Sequence, residues 1–230
     1  MRLADIVLFD TNQHIKYASE EFGINIKKFR RIWIGARDDV FYPMPKSNSG
    51  EFLVVFHGSF IPLQGIEYIL KAAKICEKDG IDFLIIGDGQ EKKKMIKLSD
   101  ELGLKNVEFA GFMSQEWIRE KIARADVCLG IFGDTQKTQR VIPNKVYECL
   151  AMQKPVITAD TLAVRELFNE EDMILVGVAD PGSLAGAILR LKNSPDFGAG
   201  LAMAGYHKFK NNASPRILGG RLKNIINEFK

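Results

Sequence analysis

Histidine and cysteine are scarce, three of each in 230 residues, and that scarcity excludes several chemistries. Cys76, Cys128 and Cys149 are odd in number, far apart and each set inside an apolar run. They read as buried free thiols of a reducing compartment rather than disulfides, and they have no metal-ligand spacing. His14 and His207 fall on predicted surface helices with no partner suggestive of acid–base work. No Ser/His/Asp set and no pair of catalytic carboxylates can be assembled. Long hydrophobic runs are also absent: no segment approaches the ~18 apolar residues of a membrane span, and the N-terminus lacks the basic region, apolar core and cleavage site of a secretion signal. A cytoplasmic location is expected. Charge of one sign is lacking too, since the net +3 is spread with both signs interspersed. Without an arginine-rich stripe interleaved with aromatics, nucleic-acid binding is not expected.

What is present is a soluble globular composition, 46% hydrophobic and 27% charged, with chain enough for one good-sized domain or a domain plus a fragment. Strand-like apolar runs at residues 4–9 and 31–34 flank a helix from about 12 to 21, capped from Asp10-Thr11-Asn12. A polar, turn-rich linker follows at 45–50. From there apolar runs at 52–56, 83–86, 107–109, 127–131, 156–158 and 173–176 alternate with helical patterns near 65–78, 91–102, 114–122, 144–152, 162–168 and 181–191. Such alternation predicts an α/β fold, a doubly wound, Rossmann-like parallel sheet with helices on both faces. Helices are expected again at about 195–209 and 214–230. The last has Ser214 as cap, Pro215 in its first turn, and an apolar stripe of Ile217, Leu222, Ile225, Ile226 and Phe229.

The most informative stretch is 142–157. Pro143 suits a first helical turn, and the free N–H groups of a helix start at Pro143, Asn144, Lys145 and Val146, with the helix dipole, favour a phosphate. Lys145 adds a full positive charge. Glu148, three residues on, shares its face, a spacing that suits a nucleotide diphosphate beside a ribose. The alternative is an ordinary amphipathic helix with a solvated Lys and Glu.

These words resemble the helix-start signature of the retaining, B-type glycosyltransferases of the "glycosyl transferases, group 1" family, whose EALA-like and G-K-P-V-I-like segments compare with Glu148-Cys149-Leu150-Ala151 and Lys154-Pro155-Val156-Ile157. Members with an I-P-N-K-x-Y-E form are closer still. Residues 35–43 resemble the family's G-x-D-x-x-x-F-x-P junction between lobes. The resemblance implies that Glu148 holds the donor ribose, while Lys145 and the loop amides hold the diphosphate. The chain departs from the pattern where Arg140 replaces a second glutamate eight residues upstream.

Three glycine loops fall where an open parallel sheet binds ligands, beyond the carboxyl ends of its strands. Residues 57–65 resemble the family's G-R-L-x-x-x-K-G phosphate loop, with Gly58 kept and Ser59 and Gln64 in place of the arginine and lysine. That loss leaves Lys145 and Arg140 to meet the departing diphosphate, and both are expected to be catalytic. Gly87 and Gly89 match a V-G-x-G turn near the donor. A nicotinamide site would instead need a third glycine where Lys92 stands. Gly111 and Phe112 end a V-x-F-x-G segment whose backbone usually meets the base. His57 reads equally as a group facing the diphosphate or as a hydrogen-bonded structural histidine.

The resemblance implies an NDP-sugar donor, UDP- or GDP-linked, and no further cofactor or metal. It implies hexosyltransferase-type transfer with retention to a glycan or lipid-linked acceptor, in polysaccharide or glycolipid biosynthesis, and leaves room for peripheral contact with the inner face of a membrane. Residues 1–45 read as a remnant of the acceptor lobe and the interlobe junction, 46–213 as the nucleotide-sugar-binding domain, and 214–230 as a helix packing back toward the N-terminal segment. An acceptor-lobe polypeptide is an expected partner. The rival expectation is a noncatalytic nucleotide-sugar-binding module or a subunit of a split transferase.

Overall fold

The computed structural model describes residues 3–45 and 50–228. Residues 46–49 of the expected linker and Phe229 of the expected stripe lie outside them. A small unit comes first: strand β1 (Val7–Phe9), helix α1 (Asn12–Phe22) and strand β2 (Phe29–Arg31), with the two strands paired in parallel from Val7↔Phe29 to Phe9↔Arg31. β1 is shorter than its apolar run, and β2 lies two residues ahead of the strand expected at 31–34, sharing only Arg31 with it. After Ile32, whose N–H still donates to the Phe9 carbonyl at 2.9 Å, the chain leaves the small sheet, and Trp33 packs into the core of the main one.

The main sheet contains β3 (Phe52–His57), β4 (Ile81–Ile86), β5 (Val107–Gly111), β6 (Val127–Leu129), β7 (Val156–Ala159) and β8 (Ile174–Val176), in the order β5-β4-β3-β6-β7-β8, with every pairing parallel. The helices between them are α2 (Ile66–Ile75), α3 (Lys92–Leu102), α4 (Gln115–Arg124) and α5 (Asn144–Ala151), followed by α6 (Pro181–Asn193), α7 (Pro195–Asn212) and α8 (Pro215–Asn227). This is the doubly wound α/β fold expected. The strands lack polar alternation because both faces are covered. Val54 and Phe56 of β3, with Phe83 and Ile85 of β4, enter a core with α2 and α6. Val55, Leu84 and Ile86 point oppositely, into a core with α5 and Phe209 of α7. Each fully buried aliphatic side chain contributes about 1.5–3 kcal/mol, so the two faces together fix the strand register.

The helix expected at 162–168 is only a 3₁₀ turn, Val164–Glu166. The Thr161 hydroxyl, just ahead of the turn, accepts from the Val164 N–H at 3.2 Å, and Leu167 at φ −129° ends it at once. The cysteines are free and buried as expected. The C-terminal helices return toward the start of the chain: Leu218 of α8 lies against Gly35, Lys210 bonds Asp38 at 3.1 Å, and Glu228 pairs with Arg30 at 3.0 Å. Among the described residues no helix is long and apolar enough to cross a membrane.

Candidate functional site

The chain starts its main sheet at β3, builds outward through β4 and β5, then returns to the other side of β3 with β6. That reversal opens a crevice beyond the carboxyl ends of β3 and β6. The loop after β3 and the start of α5 meet there around a cavity of about 760 Å³, and the N-terminal unit faces them across it through Phe9, Asp10, His14 and Trp33.

Pro143 stands one position earlier than expected. It is the N-cap of α5, extended at φ −72°, ψ 150°, and no side chain caps the helix. The Val146 N–H turns back to the Pro143 carbonyl at 3.0 Å and the Val146 side chain is core, so Val146 offers nothing to the cavity. The amides of Asn144 and Lys145, at the positive end of the helix dipole, remain to meet an anion. Pro143, Asn144, Lys145 and Glu148 all line the cavity.

Lys145 is buried, at 5% exposure. Its amine donates to Gln64 Oε1 and lies 3.7 Å from the centre of the Phe56 ring. Burial pushes its pKa down to about 7, opposed by the neighbouring Cys149 and Glu148. Gln64, expected as a donor-loop residue standing where the family pattern has a lysine, lines the cavity and holds Lys145 in place. Gly58 makes room for it: a Cβ there would stand 2.6 Å from the Lys145 nitrogen, on a backbone at φ +151°. Ser59, exposed beside it, also faces the cavity. Glu148 does not pair with Lys145. Its Oε2 accepts from His57 Nε2 at 2.7 Å.

The other two glycine loops support the first rather than line the cavity. The Gly58 N–H donates to the Ile86 carbonyl at 2.9 Å and the Gly87 N–H to the Gly111 carbonyl at 2.7 Å, so the three strand ends are laced side by side. A Cβ on Gly87 would stand 1.9 Å from the Gly58 carbonyl oxygen, and one on Gly89 2.7 Å from the Phe60 backbone. Phe112, at the end of edge strand β5, is 85% exposed and does not line the cavity either.

Arg140 is a correction. It is absent from the cavity wall, and its guanidinium stacks 3.5 Å over the Tyr17 ring of α1, because the turn Thr138–Arg140 packs on that helix. Beside Lys145, a second lysine lines the cavity, Lys137, which sequence reasoning passed over for want of any spacing to the helix start. His14 is a second correction. It lines the cavity, and its Nδ1 lies 2.8 Å from Asp10 Oδ1. The four-residue spacing across the start of α1 was the available signal. Among the described residues no group of three His, Cys, Asp or Glu side chains could hold a metal ion.

Comparison with known proteins falls in line with this geometry. Residues 51–194 match the family model described as glycosyl transferases group 1. The chain is 28% identical over 148 residues to alpha-D-kanosaminyltransferase of Streptomyces kanamyceticus, covering 63% of this chain and 37% of that protein. It is 25% identical over 169 residues to the lipopolysaccharide core biosynthesis glycosyltransferase LpsD of Rhizobium meliloti, covering 73% and 47%. The chain thus spans less than half the length of these relatives. Among solved structures, Anabaena HepE in complex with UDP-glucose superposes with a TM-score of 0.86 at 16% identity, over 99% of this chain and 65% of that one. Sucrose-phosphate synthase from Thermosynechococcus elongatus gives 0.83 at 21% identity, over 98% and 58%. At such identities these two likenesses speak for the fold.

Proposed function

Because the chain belongs to the glycosyl transferases group 1 family, we propose that it is the nucleotide-sugar-binding half of such an enzyme, serving retaining transfer of a sugar from an NDP-sugar, UDP- or GDP-linked. The observation that carries this reading is the buried Lys145 amine beside the uncapped start of α5, in a cavity of about 760 Å³ at the switch point of the sheet. A cation and converging amides in a crevice suit a diphosphate. The complexes of the structural neighbour HepE with UDP and glucose and with UDP-glucose support the same ligand class.

The chemistry rests on the leaving group. As the bond from the anomeric carbon to the diphosphate oxygen breaks, negative charge builds on the phosphate. Lys145 and the first amides of α5 are already oriented toward it, so little reorganisation is needed. In this reading the charge is met by the chain's own groups, with Lys137 at the cavity wall as a further cation. Glu148, one helical turn from Lys145, accepts from the ribose hydroxyls. The acceptor, a glycan or a lipid-linked sugar, enters from the side of Asp10 and His14.

A thermal-shift panel of UDP, GDP, ADP, TDP and NAD tests the reading, since a ligand of the native state raises its apparent stability. A nucleoside diphosphate is expected to raise the melting temperature, and a shift with NAD alone would overturn the assignment. Lys145→Ala and Glu148→Ala should each weaken nucleotide binding by about 1–3 kcal/mol, the scale of a lost charged hydrogen bond. Unchanged affinity in both variants would move the site elsewhere.

A further inference from the structure

His57 is the last residue of β3 and its side chain is only 8% exposed. A buried imidazole needs a partner, and it finds one on a different element: Nε2 lies 2.7 Å from Glu148 Oε2 on α5. A carboxylate only accepts, so Nε2 carries the hydrogen. Nδ1 is buried with no hydrogen-bond partner, and an N–H there would be an unsatisfied buried donor, which holds the ring in the Nε2–H tautomer. Glu148 is thereby held at Oε2 by a donor from a different element. Lys145, which shares its helix face, is turned away to Gln64, so among the described residues no lysine or arginine pairs with the carboxylate. The second oxygen, Oε1, has no protein hydrogen bond among the described residues. Glu148 and Asn144 line both the 760 Å³ cavity and an adjoining one of about 440 Å³, so the carboxylate sits where a ligand crossing from one to the other would pass.

We propose that His57 is a positioning residue of the donor site, holding the Glu148 carboxylate so that the site takes ribonucleoside diphosphate sugars in preference to their 2′-deoxy counterparts. The proposal rests on the reading that Glu148 meets the ribose. A carboxylate fixed at one oxygen presents the other in one direction, and little rotamer freedom is left to lose when a hydroxyl arrives. When the hydroxyl is missing, the fixed and partly desolvated acceptor goes unpaired.

The test is calorimetric binding of UDP against 2′-deoxy-UDP, and of GDP against 2′-deoxy-GDP, to the purified chain and three variants. In the unaltered chain the preferred ribonucleotide should bind about tenfold to a hundredfold more tightly than its deoxy form. His57→Gln, whose amide N–H reaches about as far as Nε2, should keep most of that ratio. His57→Asn, too short to reach Glu148, should cut it to within about threefold while binding of the deoxy form is retained. A general loss of folding would weaken both ligands alike and leave the ratio untouched, so the ratio isolates positioning. Equal ratios in the Gln and Asn variants, with Glu148→Ala abolishing the preference, would overturn the role of His57 and leave the ribose reading standing. A ribose preference that survives Glu148→Ala, or no binding of either nucleotide pair, would overturn both.

Discussion

Lys145 is a group the empty fold does not favour. Its pKa of about 7, against an ordinary 10.5, reflects burial that disfavours the charge. Between these values the unfolded chain takes a proton more readily than the native one, so stability from this residue falls as pH drops from about 10.5 toward 7 and is then constant. Lys145→Met keeps the length and removes the penalty. At pH 7 the variant should be more stable by about 1–3 kcal/mol in urea unfolding, with the gap closing as pH approaches 10.5, yet it should bind sugar nucleotide more weakly by about 1–3 kcal/mol, as Lys145→Ala does. A variant that is less stable and binds normally would refute this view. An arriving diphosphate favours the ammonium, so binding takes up a proton above pH 7. The affinity of the unaltered chain for the nucleoside diphosphate that it binds best in the thermal-shift panel should be flat below about pH 7 once that ligand's own phosphate titration is subtracted, and fall above it, by at most tenfold per unit. Calorimetry from pH 6 to 9 reads the slope, and a flat profile would contradict the assignment. Arg140 gives the contrast: Arg140→Ala should cost about 0.5–2 kcal/mol of stability through the lost stacking on Tyr17 and leave nucleotide affinity unchanged. Lys137→Ala should weaken that affinity and leave stability unchanged.

At the scale of elements, the N-terminal unit is held by the start of α1. The Glu166 carboxylate accepts from the Asn12 and Gln13 N–H groups at 2.8 and 2.9 Å, Arg31 approaches it at 3.3 Å, and the Thr11 hydroxyl donates to the Arg140 carbonyl. An anion on two free amides of a helix start satisfies groups the helix cannot. Glu166→Ala should therefore cost about 1–3 kcal/mol, and hydrogen exchange should show α1 opening before the main sheet. Equal protection of α1 in the variant and the unaltered chain would show the cap to be idle. The same contact shows what was legible in the sequence. The doubly wound sheet could be read because runs such as 52–56 are apolar on both faces, and Lys145 and Glu148 because their spacing is local to one helix. The contacts of Glu166 with α1, of Arg140 with Tyr17 and of His57 with Glu148 span 91 to 154 residues. No local pattern encodes such pairings. Arg140 was misplaced for that reason: its register to Glu148 is a statement about sequence, whereas its direction is set by α1 packing on the turn.

For the molecule as a whole, the N-terminal unit makes an unusual wall. Parallel strands ordinarily occur in sheets covered on both faces, and two strands alone are marginal. Here β1 and β2 form a two-stranded parallel sheet, with Leu8 41% and Ile34 48% exposed near the cavity. Family relatives are more than twice as long as the matched stretch, so a lobe of roughly one domain, ~150 residues, would extend this sheet and close the acceptor side. In the proposed reading the donor is held by Lys145, Glu148 and the amides of α5, whereas transfer needs an acceptor hydroxyl held against the anomeric carbon within a near-attack distance. The chain by itself should bind UDP- or GDP-sugar with the affinity its cavity dictates and transfer sugar poorly. Joining or mixing it with an acceptor lobe should raise transfer by orders of magnitude while donor affinity changes little, as radiolabelled-sugar transfer beside calorimetry would show. Binding that persists with no transfer under any such pairing would favour a nucleotide-sugar sensor. Brisk transfer by the chain alone would mean that Asp10, His14 and the small sheet already complete the acceptor wall.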